Sequence, residues 1–316
     1  MENSGEHPTQ HPTHHVQHEQ KYEANAEKGN FYDRHHLIFL LIPVIMLIGA
    51  LAYIIVFYQA TGDIMHKDVT LTGGTSLSIF SDNISTTALE AALKTDFPDV
   101  VIRSLNDVQT GKQIAVSIET ASGPDLLRPA VEKVIGYQLN EQDSSMEFTG
   151  NSLSNSFYNE LLKAMLLAFL FMSVVIFILF RSPLPSLYVI LCAFADIVIP
   201  LAIVDYFGIR ISTAGIAAFL MLIGYSVDTD ILLTTVVLKR RDEETLNKRI
   251  HSAMKTGLTM TLTALATVLI AFSLSLAPTL KQIFLILAIG LVTDIIVTWG
   301  MNASLLKWYC DRKGFK

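Results

Sequence analysis

ISTAGIAAFLMLIGYSVDTDILLTTVVL, residues 211–238, is long and apolar enough to cross a bilayer, yet it carries GYSVDTD near its middle. A spanning helix needs roughly 20 apolar residues, and an ionised carboxylate at hydrocarbon depth costs several kcal/mol. Asp228 and Asp230 therefore demand an explanation that a lipid-facing helix cannot give. Asp196 and Asp294 pose the same problem, deep in the apolar runs 184–204 and 283–306. Counted at about 1.5 Å per residue from Arg181, Lys239 and Lys307, the acids Asp196, Asp228 and Asp294 lie roughly 15 to 20 Å in, near mid-bilayer. Asp228 and Asp230 are two residues apart, about 200° around a helix, so they cannot share one partner. Depth groups Asp228 with Asp196 and Asp294, and leaves Asp230 to a different neighbour or to the cytoplasmic vestibule.

The rest of the chain agrees with a membrane setting. Its 316 residues are 51% hydrophobic and only 16% charged, a composition of integral membrane proteins. Further apolar runs at 37–58, 161–180 and 257–277 bring the spans to six. The first starts too far from the N-terminus, and is too long, for a cleaved signal peptide. Arg34, Arg181, the group Lys239, Arg240, Arg241, Lys248 and Arg249, and the tail Arg312, Lys313 and Lys316 alternate with loops holding only Arg210 or Lys281. Basic loops stay in the cytoplasm. This predicts a multi-pass protein of the cell membrane with both termini cytoplasmic and residues 63–159 outside. No nucleic-acid partner is expected; membrane lipids surround the spans.

Residues 1–30 are polar, with the composition of a disordered tail. His11, His14, His15 and His18 there have no fixed geometry for a metal, so no metal site is assigned. The two cysteines, Cys192 and Cys310, leave no disulfide for the external segment, which must hold by packing. That segment reads as strand 69–80 broken by Gly73-Gly74, helix 85–96 with Ser85 as N-cap, a hairpin of 100–105 and 113–119, helix 125–139 and strand 145–149. The order βαββαβ is that of a ferredoxin-like sandwich. Gly73-Gly74 is read either as a bulge or as a close backbone approach. The expected organisation is a tail (1–30), a first transmembrane helix (31–59), an extracytoplasmic α+β ferredoxin-like domain (60–158), five further transmembrane helices (159–309) and a short tail (310–316).

Within the fifth span Thr256, Thr259, Thr263 and Thr267 recur at helical spacing. They are read as a polar seam turned toward other helices, with Thr261 off it. Each also has the plainer reading of a hydroxyl bonded to its own preceding turn. Lys255, counted from a helix start at residue 257, falls short of the acids and can snorkel outward. Desolvation and mutual repulsion then favour the protonated form of the carboxylates. With Ser226 and the threonines, Asp196, Asp228, Asp230 and Asp294 make a candidate site for loading and releasing H⁺ or Na⁺. No catalytic set and no organic cofactor is read, so the chain is taken as a transport subunit, not an enzyme.

These residues carry a resemblance. Thr72-Gly73-Gly74-Thr75, Ala195-Asp196-Ile197, Gly224-Tyr225-Ser226-Val227-Asp228 with Lys239-Arg240-Arg241 after it, and Thr298-Trp299 with Asn302 resemble the SecF family, most closely its archaeal branch. The resemblance runs from Phe31 to the C-terminus. It implies half of a resistance-nodulation-division architecture, with SecD as the other half. It implies use of a proton or Na⁺ gradient to help the SecYE channel export unfolded secretory polypeptides. The family's fourth-span acid falls at or beside Asp228, and its fifth-span basic residue on Lys255, which reaches an acid if that helix starts earlier. Asp228 is the first choice for the titrating group.

Two other readings of intramembrane acids are set against this. A half-transporter exporting small molecules or lipids has little room for a substrate pocket in six helices and one domain of about 100 residues. An intramembrane aspartyl protease needs Gly-x-Gly-Asp, whereas Asp228 follows Ser226-Val227.

Overall fold

The computed structural model describes residues 31–107, 110–239, 245–275 and 277–314. The His-rich tail, Arg240 and Arg241 lie outside the described residues. Six of the described helices are long and apolar enough to cross a membrane. They are α1 (Phe31–Thr61), α5 (Asn151–Phe180), α6 (Pro183–Tyr206), α7 (Thr213–Lys239), α8 (Leu246–Leu274) and α9 (Pro278–Val297), the last running through a π-helical turn (Thr298–Asn302) into α10 (Ala303–Lys313). Between α1 and α5 lies a sheet domain built from α2 (Val69–Thr72), β1 (Gly74–Ile79), α3 (Thr86–Leu93), β2 (Val101–Asn106), β3 (Gln113–Thr120), α4 (Pro124–Ile135) and β4 (Ser144–Thr149).

The four strands form one antiparallel sheet in the order β2-β3-β1-β4. Alternation along the strands decides its two faces. Leu77, Ile79, Val116 and Ile118 meet Leu89, Leu93, Leu127 and Val131 of α3 and α4 in one core. Each such side chain contributes about 1.5–3 kcal/mol on burial, and with no disulfide among the described residues this core holds the domain. The intervening residues Ser76, Ser78, Ser117 and Glu119 make the opposite, polar face. Ser85 accepts a hydrogen bond from the Ala88 backbone N–H (3.3 Å), the N-cap expected of it.

One local expectation changes, and one open choice is decided. Val69–Thr72 is a helical turn, not the start of a strand, because the Asp68 carboxylate accepts from the Thr70 N–H (3.1 Å) and caps it. Gly73 (φ 89°) then turns the chain into β1. Gly74 answers the choice between bulge and close approach. Its φ is 135°, and a Cβ there would run into the Thr120 carbonyl on β3.

The fifth spanning helix starts at Leu246, well before the apolar run at 257–277. Its first turns are amphipathic. Leu246, Arg249, Ile250 and Ala253 are buried at i, i+3, i+4 and i+7, and Arg249 donates to the Val237 carbonyl at the end of α7 (2.8 Å). Lys255 therefore lies inside α8, and its side chain points out of the bundle. In the bundle α7 is central, packed against α5, α6, α8 and α9. Close helix contact is made by Gly257, whose Cβ would lie 2.5 Å from the Trp299 ring.

Candidate functional site

Asp196 on α6, Asp230 on α7 and Asp294 on α9 converge in the middle of the bundle, each 1% exposed or less. Asp228 does not join them. It faces outward from this chain, as do Gly224 and Tyr225, while Ser226, Val227, Thr229 and Asp230 face inward. The pairing by depth is thus corrected: Asp230, not Asp228, is the α7 member. Azimuth decides it, since two residues along a helix reverse the face.

The carboxylates are joined by hydroxyl and amide donors. Ser226 donates to Asp196 Oδ2. Asn302 Nδ2 donates to Asp230 Oδ1 (2.7 Å). Thr298 Oγ1 lies 3.1 Å from both Asp230 Oδ1 and Asp294 Oδ1, and Thr261 Oγ1 lies 3.5 Å from Asp294 Oδ2. A threonine hydroxyl has one hydrogen. It satisfies both carboxyl groups only if one of them carries a proton and donates back. Asp196 Oδ1, Asp230 Oδ2 and Asn302 Oδ1 are buried and have no hydrogen-bond partner among the described residues. No ion pair among the described residues involves the three acids. Among the described residues the site is thus a cluster of carboxylate, hydroxyl and amide groups with no Lys or Arg ion-paired to it.

The threonine seam is also corrected. Thr256, Thr259, Thr263 and Thr267 are all exposed on the outside of this chain. Each bonds the carbonyl four residues earlier, at 3.2, 2.8, 2.7 and 3.0 Å. The residue set aside, Thr261, is the buried one that reaches an acid. Lys255 makes no ion pair among the described residues. Ser226, grouped from the sequence with the threonines, instead faces inward onto Asp196, and Gly73 and Gly74 lie in the sheet domain, away from this site. Thr298 and Asn302 were missed as site residues. Their signal was present, because Asp294, Thr298 and Asn302 follow one another at i, i+4 and i+8 on one face. The π-helical turn at Thr298–Asn302 sits against the acids, as such turns often do at functional sites.

The sequence profile of the family described as "Protein export membrane protein SecD/SecF, C-terminal" matches residues 130–312. The protein-export membrane protein SecF of Methanothermobacter thermautotrophicus is 37% identical over 279 residues, covering 86% of this chain and 92% of that one. SecF of Pyrococcus furiosus is 32% identical, covering 86% and 90%. SecF of Methanocaldococcus jannaschii is 36% identical, covering 77% and 86%. The crystal structure of SecDF, a translocon-associated membrane protein of Thermus thermophilus, superposes with a TM-score of 0.71 at 17% identity. It is matched over 90% of this chain but only 39% of its own length, and the likeness is one of fold.

Proposed function

The chain belongs to the SecF family of protein-export membrane proteins, and from that premise we propose that Asp196, Asp230 and Asp294 are where this subunit of a SecDF complex couples an ion gradient to protein export. The observation that carries the proposal is the Thr298 hydroxyl shared between Asp230 and Asp294, with no Lys or Arg paired to these acids among the described residues. Three carboxylates at that depth require compensation by bound protons or a small cation. One elementary charge crossing 100 mV supplies about 2.3 kcal/mol, a bias of roughly 50-fold on a two-state equilibrium. Loading and releasing a few charges per cycle is enough to reset a conformation.

In this reading the sheet domain is ferredoxin-like and extracytoplasmic. Its βαββαβ order and helices on one face support that. The basic residues Arg181, Lys239, Arg312 and Lys313 mark helix ends away from the sheet domain, and support cytoplasmic termini. The outward polar face of α7 and α8, with Asp228, Tyr225, Thr256, Thr259, Thr263 and Lys255, is the surface for SecD. A lone acid and a lone lysine facing hydrocarbon are costly unless a partner helix covers them. SecYE and the emerging polypeptide act on the extracytoplasmic side.

The test is export of a secreted reporter in cells whose only copy carries Asp230→Asn, with expression and SecD co-purification checked. Loss of the gradient-stimulated part of export with assembly intact is expected. Unchanged export would remove Asp230 from the mechanism.

A further inference from the structure

The sheet domain meets the bundle through Leu71 of α2, buried in a core shared with α5, α6 and α7, through β4, which runs directly into α5, and through a hydrogen-bonded joint at the turn between α6 and α7, the helices that carry Asp196 and Asp230. Asp205, at the end of α6 and 1% exposed, accepts from Tyr53 Oη on α1 (3.0 Å) and from the His66 backbone N–H (2.5 Å). His66 Nδ1 lies 2.8 Å from the same carboxylate. The turn after it, opened by Gly208 in the left-handed region (φ 68°), brings Ile211 beside the linker. Ile211 N–H donates to the His66 carbonyl (2.7 Å) and its carbonyl accepts from Asp68 N–H (3.0 Å), a single strand-like bridge. Thr213 N–H, the first residue of α7, donates to Thr70 Oγ1 (3.1 Å), and Arg210 lies 3.5 Å from Glu119 on β3. From the other side Gln282 of α9 holds the turn, accepting from Ser212 N–H (3.2 Å) and donating to the Arg210 carbonyl.

Beyond the Arg210–Glu119 contact, the polar sheet face leaves a gap above the bundle. A cavity of about 480 Å³ separates Ser76, Ser78, Ser117 and Glu147 from Phe272 and Leu285. That gap gives the polar face room to move against the bundle. Asp205 lies nine residues from Asp196, roughly 14 Å along one helix, so a shift of α6 against α7 at the cluster is delivered to the turn.

We infer that the α6–α7 hairpin transmits events at the carboxylate cluster to the sheet domain, with Asp205 and Arg210 as positioning residues that fix the domain to the moving turn. The inference rests on the ion-coupling reading above. It differs from that reading in what it predicts when the joint alone is broken. Asp205→Asn and Arg210→Gln uncouple ion influx from export, whereas Asp230→Asn stops the influx itself. His66→Gln, which alters a half-exposed side chain, is the variant least able to disturb folding.

The experiment uses the whole SecDF complex in vesicles with the Sec channel. Proton influx is followed by a pH-sensitive dye, sodium influx by radioactive sodium, and reporter export in parallel. Spin labels at the exposed positions Lys94 and Leu274 report the distance from sheet domain to bundle. Loss of one buried hydrogen-bonded carboxylate is expected to lower export per ion by ~10-fold in Asp205→Asn, with a smaller loss in His66→Gln. Both variants should broaden the Lys94–Leu274 distance distribution while influx persists, and Asp205→Glu should restore part of the ratio. A merely structural role lowers export and influx together and leaves their ratio unchanged; that result, or an unbroadened distribution in both variants, overturns the inference. The distance arm holds even if the vesicles show no influx, so failure of the ion-coupling reading is told apart from failure of the joint.

Discussion

Asp228 and Asp230 stand two residues apart on α7 and inhabit different worlds. Asp230 is fully buried among Asn302, Thr298 and Asp294; Asp228 is exposed on the outside of this chain. The same division repeats on α8, where Thr261 turns in toward Asp294 while Thr259 and Thr263 turn out. One polar system is thus gathered inside the chain, and the other is exposed on its outside. The lesson is that an intramembrane acid marks either an internal site or an unfinished interface, and azimuth distinguishes them.

The largest effect should separate the two aspartates. Asp230→Asn removes the gradient-stimulated part of export, by ~10-fold or more, with SecD still co-purifying; Asp228→Asn lowers co-purifying SecD first. If both variants fail in the same step, the division between inner and outer systems is broken. Next comes the support of the inner site. Asn302→Ala takes the 2.7 Å donor from Asp230 and should cost about 1–3 kcal/mol of stability, seen as a lowered Tm of the purified protein. An unchanged Tm would mean that the amide does not hold the acid.

Much of this was legible in the sequence. Six spans follow from length and hydropathy, and the strand and helix order of the sheet domain from alternation bounded by Gly, Pro and Asp. What failed did so for identifiable reasons. Hydropathy windows miss the amphipathic start of α8, because Arg249 and Lys248 dilute the run while Leu246, Ile250 and Ala253 bury their side of it. The pair Asp228 and Asp230 cannot be ranked by depth, since two residues move an acid by only about 3 Å but turn it to the opposite face. The threonine seam was rightly placed on one face. Which face is covered by this chain depends on tertiary packing, which periodicity does not contain.

Smaller effects sharpen the outer side of the comparison. Thr259→Val and Thr263→Val remove only bonds to the preceding turn. Each should leave the stability of the isolated chain within about 0.5 kcal/mol of wild type, while both together weaken SecD association. A large loss of stability in the isolated chain would place these hydroxyls in the inner system instead.

At the joint the prediction concerns pH. Burial, and then the charge of Asp68, hold the Glu119 carboxyl above the ordinary glutamate range against the pull of Arg103 and Arg210. A raised carboxyl contributes stability that is full below the unfolded-state value and is lost as pH rises through the folded-state value. Glu119→Gln cannot ionise, so its Tm relative to wild type should rise with pH across that window. A flat difference would show that Arg103 and Arg210 fully compensate the charge.

The central claim is that Asp196, Asp230 and Asp294 load the coupling ion. Its most direct test is ion influx into vesicles holding the SecDF complex, with an imposed proton or sodium gradient and no export substrate, compared between wild type and Asp230→Asn. The account predicts influx in wild type and its loss in Asp230→Asn with the complex intact. Equal influx in both would contradict it and leave the buried acids as a structural network.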